Sequence, residues 1–263
     1  MFFASIAART DLGLLRAGNE DSGLSHPRLI AVADGMGGAV GGEIASKIAI
    51  QTLASRLEVL TQSEIDDDSR GDILSNTLLA IESELSVRIN ENPELAGMGT
   101  TLTALMPIGS SMAMLHIGDS RAYRLRKGKL TRLSHDHTVV QELLDQGKIS
   151  PSEVSDHPQR SMLTQALMGK NGKDSHFENF PIQLFPMEKG DLYLVASDGL
   201  TAVLSDEMIE KVLLATPIDQ AANNLITMVR DGGAPDNVTI ILAEMGDKPS
   251  ADEELSLLGA AYE

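Results

Sequence analysis

Leu29-Ile30-Ala31-Val32-Ala33-Asp34-Gly35 is an apolar run that stops at an aspartate and a glycine, and the residues after it decide the fold. Apolar residues recur at Ile44, Ala45, Ile48, Ala49, Leu53, Leu57 and Leu60, a spacing that predicts one face of a helix over 44–60. A second helical face runs through Leu74, Leu78, Ile81, Leu85 and Ile89. Between them, Glu64-Ile65-Asp66-Asp67-Asp68-Ser69 reads as a solvated loop joining two antiparallel helices. Short β-rich runs predict further strands at 100–106, 112–117, 122–126, 130–133, 191–196 and 238–243, with Lys127-Gly128-Lys129 as a hairpin turn. Helices are predicted over 138–146, ended by Gly147, and over 205–215 and 217–230, the last opened by a proline. The helices come in pairs, early and late, instead of alternating singly with strands. That order argues against a doubly wound parallel sheet and predicts an α+β fold in which antiparallel sheets are covered by helices.

The 263 residues carry 21 Lys and Arg against 38 Asp and Glu, a formal net charge of −17. Such a surface repels phosphate backbones, so nucleic acid is not an expected partner. A hydrophobic fraction of 42% over this length suffices for a buried core and excludes disorder throughout. Cysteine is absent, so neither a disulfide framework nor a thiolate zinc site can form, and a reducing compartment is the natural home. No basic, apolar leader opens the sequence and no stretch reaches 18 uninterrupted apolar residues. A cytoplasmic protein without a membrane partner is therefore expected. The segment 247–263 sets one lysine against five acids and is expected to be a frayed or weakly docked acidic tail.

Four segments share one grammar, an apolar run abutting an aspartate beside a glycine or asparagine. They end or begin at Asp34-Gly35, Gly118-Asp119, Asp198-Gly199 and Asp236-Asn237. A strand end is a rigid mount, and glycine lets the backbone bring its own carbonyl close to a ligand. Any one such pair reads as a turn. Four that converge would repel each other unless cations held them, and oxygen-only ligands suit hard ions such as Mg²⁺ or Mn²⁺.

Other motifs fail on inspection. Gly35-Met36-Gly37-Gly38-Ala39-Val40 lacks the last glycine of a dinucleotide fingerprint, and Gly41-Gly42-Glu43-Ile44 lacks the lysine of a P-loop. Gly118-Asp119-Ser120-Arg121-Ala122 falls one glycine short of a nucleophile elbow. His135 and His137 are expected to serve the loop they sit in instead of forming a metal pair.

Taken in order, these residues resemble the PP2C-type metal-dependent serine/threonine protein phosphatases, in particular their compact bacterial members. The elements are Arg16-Ala17-Gly18-Asn19-Glu20-Asp21, Val32-Ala33-Asp34-Gly35-Met36-Gly37-Gly38, Gly42-Glu43-Ile44-Ala45-Ser46, Gly99-Thr100-Thr101, Gly118-Asp119-Ser120-Arg121, Asp136-His137-Thr138, Ser197-Asp198-Gly199-Leu200 and Asp236-Asn237-Val238-Thr239. The resemblance implies an α-β-β-α sandwich of two antiparallel β-sheets flanked by antiparallel helix pairs. It implies one phosphatase domain over 1–246, with a variable flap at about 146–176 beside the site as a selector of protein substrates.

It also implies roles. Asp34 would bridge two Mn²⁺ or Mg²⁺ ions, with Asp198 and Asp236 completing one site and the carbonyl of Gly35 serving the other. Asp21 would support the pair directly or through water, with Glu20 a second candidate, and Asp119 would join Asp198 at a third, weaker metal. Arg16 would clamp the phosphate. The activity implied is hydrolysis of phosphoserine and phosphothreonine by a metal-bridging water, with no covalent phosphoenzyme. Two departures stand out: relatives carry a histidine at the position of Met36 or of Ala39, so a metal-held water is expected to protonate the leaving group here. The alternatives are a non-catalytic regulator on the same fold, which would be expected to lose metal aspartates that this chain keeps, and another two-metal phosphoester hydrolase. Expected partners are phosphorylated proteins, notably serine/threonine kinases and their substrates, met by a monomer.

Overall fold

Strand β3 (Leu29–Met36) has five consecutive buried residues, so both of its faces must be covered. The computed structural model, which describes residues 1–37, 41–62, 64–154, 156–170, 180–250 and 254–262, covers the two faces differently. Ala31 and Ala33 pack into a cluster shared with helices, whereas Ile30 and Val32 pack into a cluster between two sheets. The period of two along a strand thus divides one apolar run between two cores.

The first sheet has the order β12 (Ser256–Gly259), β2 (Asp21–His26), β3, β5 (Leu102–Ile108), β6 (Ser111–Ile117) and β9 (Gln183–Pro186), with β4 (Gly99–Thr100) pairing the end of β3. The second has the order β1 (Phe2–Asp11), β11 (Val238–Gly246), β10 (Leu192–Ala196), β7 (Arg121–Arg126) and β8 (Lys129–Arg132). Every strand pairing among the described residues is antiparallel. Strand β10 repeats the division seen in β3, because Leu194 and Ala196 face helices while Tyr193 and Val195 face the other sheet.

Helices α1 (Gly41–Ser55), α2 (Leu57–Thr61) and α3 (Asp67–Glu91) lie on the first sheet, through Ala45, Ala49, Leu53, Leu78, Ile81 and Leu85. Helix α4 (Val139–Asp145) follows β8, and α5 (Asp198–Thr201) leads to α6 (Asp206–Ala215) and α7 (Ile218–Asp231), which cover the second sheet through Ile209, Leu213, Ala222 and Leu225. Three separate apolar clusters make four layers, helices, sheet, sheet and helices, as the resemblance implies.

Several expectations need correction. The first helical face is broken between Ser55 and Leu57, so α1 and α2 are separate helices. The acidic run 64–69 is only partly loop: Asp66 caps α3 by accepting from the Ser69 amide at 2.8 Å, and Asp67 and Asp68 occupy its first turn, where the helix dipole favours them. The strand over 100–106 is interrupted at Thr101, between β4 and β5. Asp34 and Gly35 sit inside β3 instead of beyond its end. The acidic tail is not frayed over Ser256–Gly259, because β12 pairs with β2 and Ala260 and Ala261 are buried.

Candidate active site

Asp21 opens β2 and stands directly opposite Asp34 across the β2–β3 pair. Opposed residues of antiparallel strands share a face, so the pairing alone sets two carboxylates side by side. Their fates differ. Asp34 is half-buried and faces a cavity of about 940 Å³, whereas Asp21 is 1% exposed and lies beneath that cavity. Glu20, Asp119, Asp198, Asp236 and Arg16 reach the same cavity from other elements. Asp119 sits in the turn between β6 and β7, Asp198 opens α5 after β10, and Asp236 precedes β11. Both sheets therefore contribute, and every residue named from the sequence as a metal or phosphate contact lies in the cavity wall or just under it.

The backbone around Asp34 is held on both sides. Its amide donates to Thr101 Oγ1 at 2.9 Å, and its carbonyl accepts from the Thr101 amide and from Thr100 Oγ1, each at 2.9 Å. The break between β4 and β5 serves this clamp. Gly35 fits because it has no side chain: a Cβ there would lie 2.0 Å from the Gly42 carbonyl oxygen and 2.7 Å from that of Glu20. Its own amide donates to the Glu20 carbonyl at 3.1 Å.

Ser197 ties the two sheets together under the cavity. Its hydroxyl donates to Asp21 Oδ2 at 2.7 Å and accepts from the Thr239 amide at 2.9 Å. The other oxygen, Asp21 Oδ1, is buried without a hydrogen-bond partner. Asn237 anchors the loop that carries Arg16 and Glu20: its Oδ1 accepts from the Glu20 amide at 2.8 Å, and its Nδ2 donates to the carbonyls of Leu12 at 2.8 Å and Gly18 at 3.0 Å. Arg16 Nη2 donates to Asp236 Oδ2 at 2.7 Å, which raises the guanidinium further above its usual range.

So many acids in one place hold protons tightly. Burial first, and neighbouring carboxylates second, push Asp21 and Asp119 up to about 7. Asp34 is driven well above the usual carboxylate range by burial and then by Asp21, Asp198 and Asp119. Asp198 is raised by burial and by Asp236, against an opposing hydrogen bond with Asp34. Burial raises Glu20 as well. Oxygen-only donors, mutual repulsion and the orphaned Asp21 Oδ1 together fit hard divalent cations. Among the described residues no three carboxylate, imidazole or thiol groups stand close enough to hold an ion by themselves, so waters would have to complete the coordination of any ion here.

The histidines stand apart from this. His137 Nδ1 accepts from the Gly118 amide at 3.1 Å and His135 pairs with Asp145 at 2.7 Å, so both brace loops. No described histidine lines the cavity, where Met36 does. Ala39 lies outside the described residues, as do 155 and 171–176 of the expected flap, while residues between 161 and 170 line the cavity wall. Sequence alone assigned no role to Ser197, Thr101 or Asn237. Each stands inside or beside a quoted motif, but the partner that explains it is on a strand or loop distant in sequence.

Comparison with known proteins agrees with the fold that carries this cavity. The protein phosphatase 2C family model matches residues 19–231. The serine/threonine protein phosphatase PstP of Mycobacterium tuberculosis is 41% identical over 257 residues, which cover 97% of this chain and 47% of PstP. The chain thus spans about half the length of that relative. The serine/threonine phosphatase stp of Listeria monocytogenes is 33% identical over 246 residues, covering 90% of this chain and 94% of that protein. The crystal structure of the M. tuberculosis phosphatase PstP superposes with a TM-score of 0.83 at 40% identity, over 92% of this chain and 98% of that one. The PstP catalytic domain in complex with two manganese ions gives 0.82 at 38% identity, over 94% and 100%.

Proposed function

Because this chain belongs to the protein phosphatase 2C family, we propose that its cavity is a binuclear metal centre that hydrolyses phosphoserine and phosphothreonine in proteins. The observation that carries this is the meeting of Asp34, Asp119, Asp198, Asp236 and Arg16 in one cavity, above a buried Asp21 with an unpartnered oxygen. The PstP catalytic domain is known with two manganese ions, and we assign Mn²⁺ or Mg²⁺ to the same carboxylates here. Asp34 and the Gly35 carbonyl, with Asp198 and Asp236, would hold the pair; Asp119 would serve a third, weaker ion with Asp198. When bound, such ions supply an activated water for in-line attack and neutralise charge on the phosphoryl oxygens.

The chain's own residues do the rest. Asp21, fixed by Ser197, puts negative charge under the centre and leaves one oxygen for a water or an ion. Arg16 is 45% exposed and held by Asp236, so a phosphate entering the cavity can take over its planar fork. The half-buried aspartates, once a cation displaces their protons, stay ionised and acceptor-only.

No helix among the described residues is long and apolar enough to cross a membrane. The substrates we propose are phosphoproteins, including kinases and their targets, acted on by a monomer in the cytoplasm, with 1–246 as the phosphatase domain and β12 docked onto it. Phosphate release from a phosphothreonine peptide, with Mn²⁺ and then with excess chelator, tests the activity. Metal-dependent turnover abolished in Asp198→Ala is expected, and no turnover at any metal concentration would refute the proposal.

A further inference from the structure

Helix α3 carries a carboxylate on the face that packs against the first sheet. Glu82 is only 2% exposed, four residues after Leu78 and three before Leu85, both fully buried. What it accepts is backbone: the Met168 amide donates to Oε1 at 2.8 Å, the Lys170 amide donates to Oε2, and the Gly169 amide also faces the group. Burial raises its proton affinity, and these amides, together with the charge of Lys170, oppose the rise. An apolar side chain would fill the same space on a helix without the cost of desolvating a charge. The carboxylate is therefore explained by the chain it holds and not by packing.

That chain is the cavity wall opposite the aspartates. Leu163, Gln165, Met168 and Lys170 line the cavity; the arm they belong to is bridged to Thr138 at Leu163, and its 167–170 end is tied at two further points. On one side Leu167 exchanges both backbone hydrogen bonds with Thr100, each at 2.9 Å, beside the Thr100 and Thr101 clamp on Asp34. On the other side stands Glu82. Gly169 makes the contact with α3 possible: it has φ +71°, and a Cβ there would lie 2.8 Å from the Ser86 amide nitrogen, one helical turn beyond Glu82. Among the described residues, the nearest other backbone tie to Met168 and Lys170 is the bridge at Leu167.

We propose that Glu82 is a positioning residue for substrate selection: it fixes the 161–170 arm as the wall along which the polypeptide flanking the scissile phosphate lies, with Lys170 presenting a cation to phosphate or acidic side chains there. The proposal rests on the phosphatase reading of the cavity. A small aryl phosphate reaches the aspartates without the wall, and a phosphopeptide does not.

The Mn²⁺-loaded enzyme and its Glu82→Gln and Lys170→Ala variants are compared on a phosphothreonine peptide with acidic flanks and on p-nitrophenyl phosphate, together with amide hydrogen exchange at 167–170. In Glu82→Gln the peptide-to-aryl ratio of kcat/KM falls roughly five- to tenfold, chiefly through KM for the peptide. Exchange at Met168 and Lys170 accelerates while Leu167 stays protected by Thr100. Lys170→Ala, on an exposed side chain, lowers the same ratio without changing exchange at Met168, and it carries the test if Glu82→Gln folds poorly. In Glu82→Gln, an unchanged ratio, an equal loss on both substrates, or a lower ratio with exchange at 168 and 170 unaltered overturns the proposal, and so does an unchanged ratio in Lys170→Ala. A wild type that cleaves the aryl ester and leaves the peptide intact overturns the proposed function and the selection role with it, while the exchange result still reports separately whether Glu82 holds the arm.

Discussion

The floor and the wall of the cavity are built by different means. Asp21 and Asp34 are mounted on paired strands, and Thr100, Thr101 and Ser197 hold them from both sheets through hydrogen bonds of 2.7 to 2.9 Å. The 161–170 wall has no strand or helix of its own and is held by two isolated backbone bridges, Leu163 with Thr138 and Leu167 with Thr100, and by one buried carboxylate. The contrast separates two demands. Metal chemistry tolerates little movement of its ligands, so it is placed where two sheets meet. Selection among protein substrates needs a surface that can vary, so it is placed on a loop pinned at few points.

Changes to the floor should therefore abolish activity, and changes around it should grade it. The largest effect is expected for Asp34→Ala, whose loss of kcat should exceed the roughly 10- to 100-fold typical of outer partners and extend to every substrate, as steady-state assays with Mn²⁺ would show. Ser197→Ala comes next. It frees Asp21 Oδ2 and the Thr239 amide without touching the cavity surface, and Mn²⁺ affinity measured by calorimetry should fall about 10- to 100-fold. Arg16→Lys keeps the charge and loses the fork, so KM for the phosphopeptide should rise roughly tenfold with a smaller change in kcat. A wild-type result in any of these would move the centre away from the strands that carry it.

The smallest effect is on stability and reads the electrostatics of the floor. Asp21 and Asp119 are raised from 3.8 to about 7 in the folded chain, so without metal the native state binds protons that the unfolded state has released. Their stabilising contribution is complete below the unfolded value and is lost as pH rises through the folded one. The melting temperature of the metal-free protein should fall between about pH 4 and pH 7 on account of these groups, and the increase produced by Mn²⁺ should grow over the same range because ions and protons compete for the same oxygens. An Mn²⁺ increase that shrinks as pH rises would contradict that picture.

Much of the floor was legible in the sequence because its signals are local. An apolar run that stops at Asp34-Gly35, or an Asp236-Asn237 pair before a β-rich run, can be read from neighbouring residues. What holds the floor was not legible, since Ser197 meets Asp21 only after the two sheets stack, and Asn237 reaches back to Leu12 and Gly18. Glu82 offered one clue, a carboxylate within the stripe Leu78, Ile81 and Leu85, but its partners are more than eighty residues away. Strand β1 escaped because Phe2–Asp11 mixes apolar and polar residues without alternation, its burial being set by β11 and not by its own pattern. The tail misled for the opposite reason: its charge suggested solvent, while Leu257 and Leu258 pair onto β2.

On the proposed function, these strands assemble a centre for two divalent ions. Titration of the metal-stripped chain with Mn²⁺, followed by calorimetry and elemental analysis, measures it directly. Wild type should take up two tightly held ions with release of protons, and Asp34→Ala should lose that stoichiometry. Binding of no ion, or an Asp34→Ala variant that binds two with unchanged affinity, would contradict it.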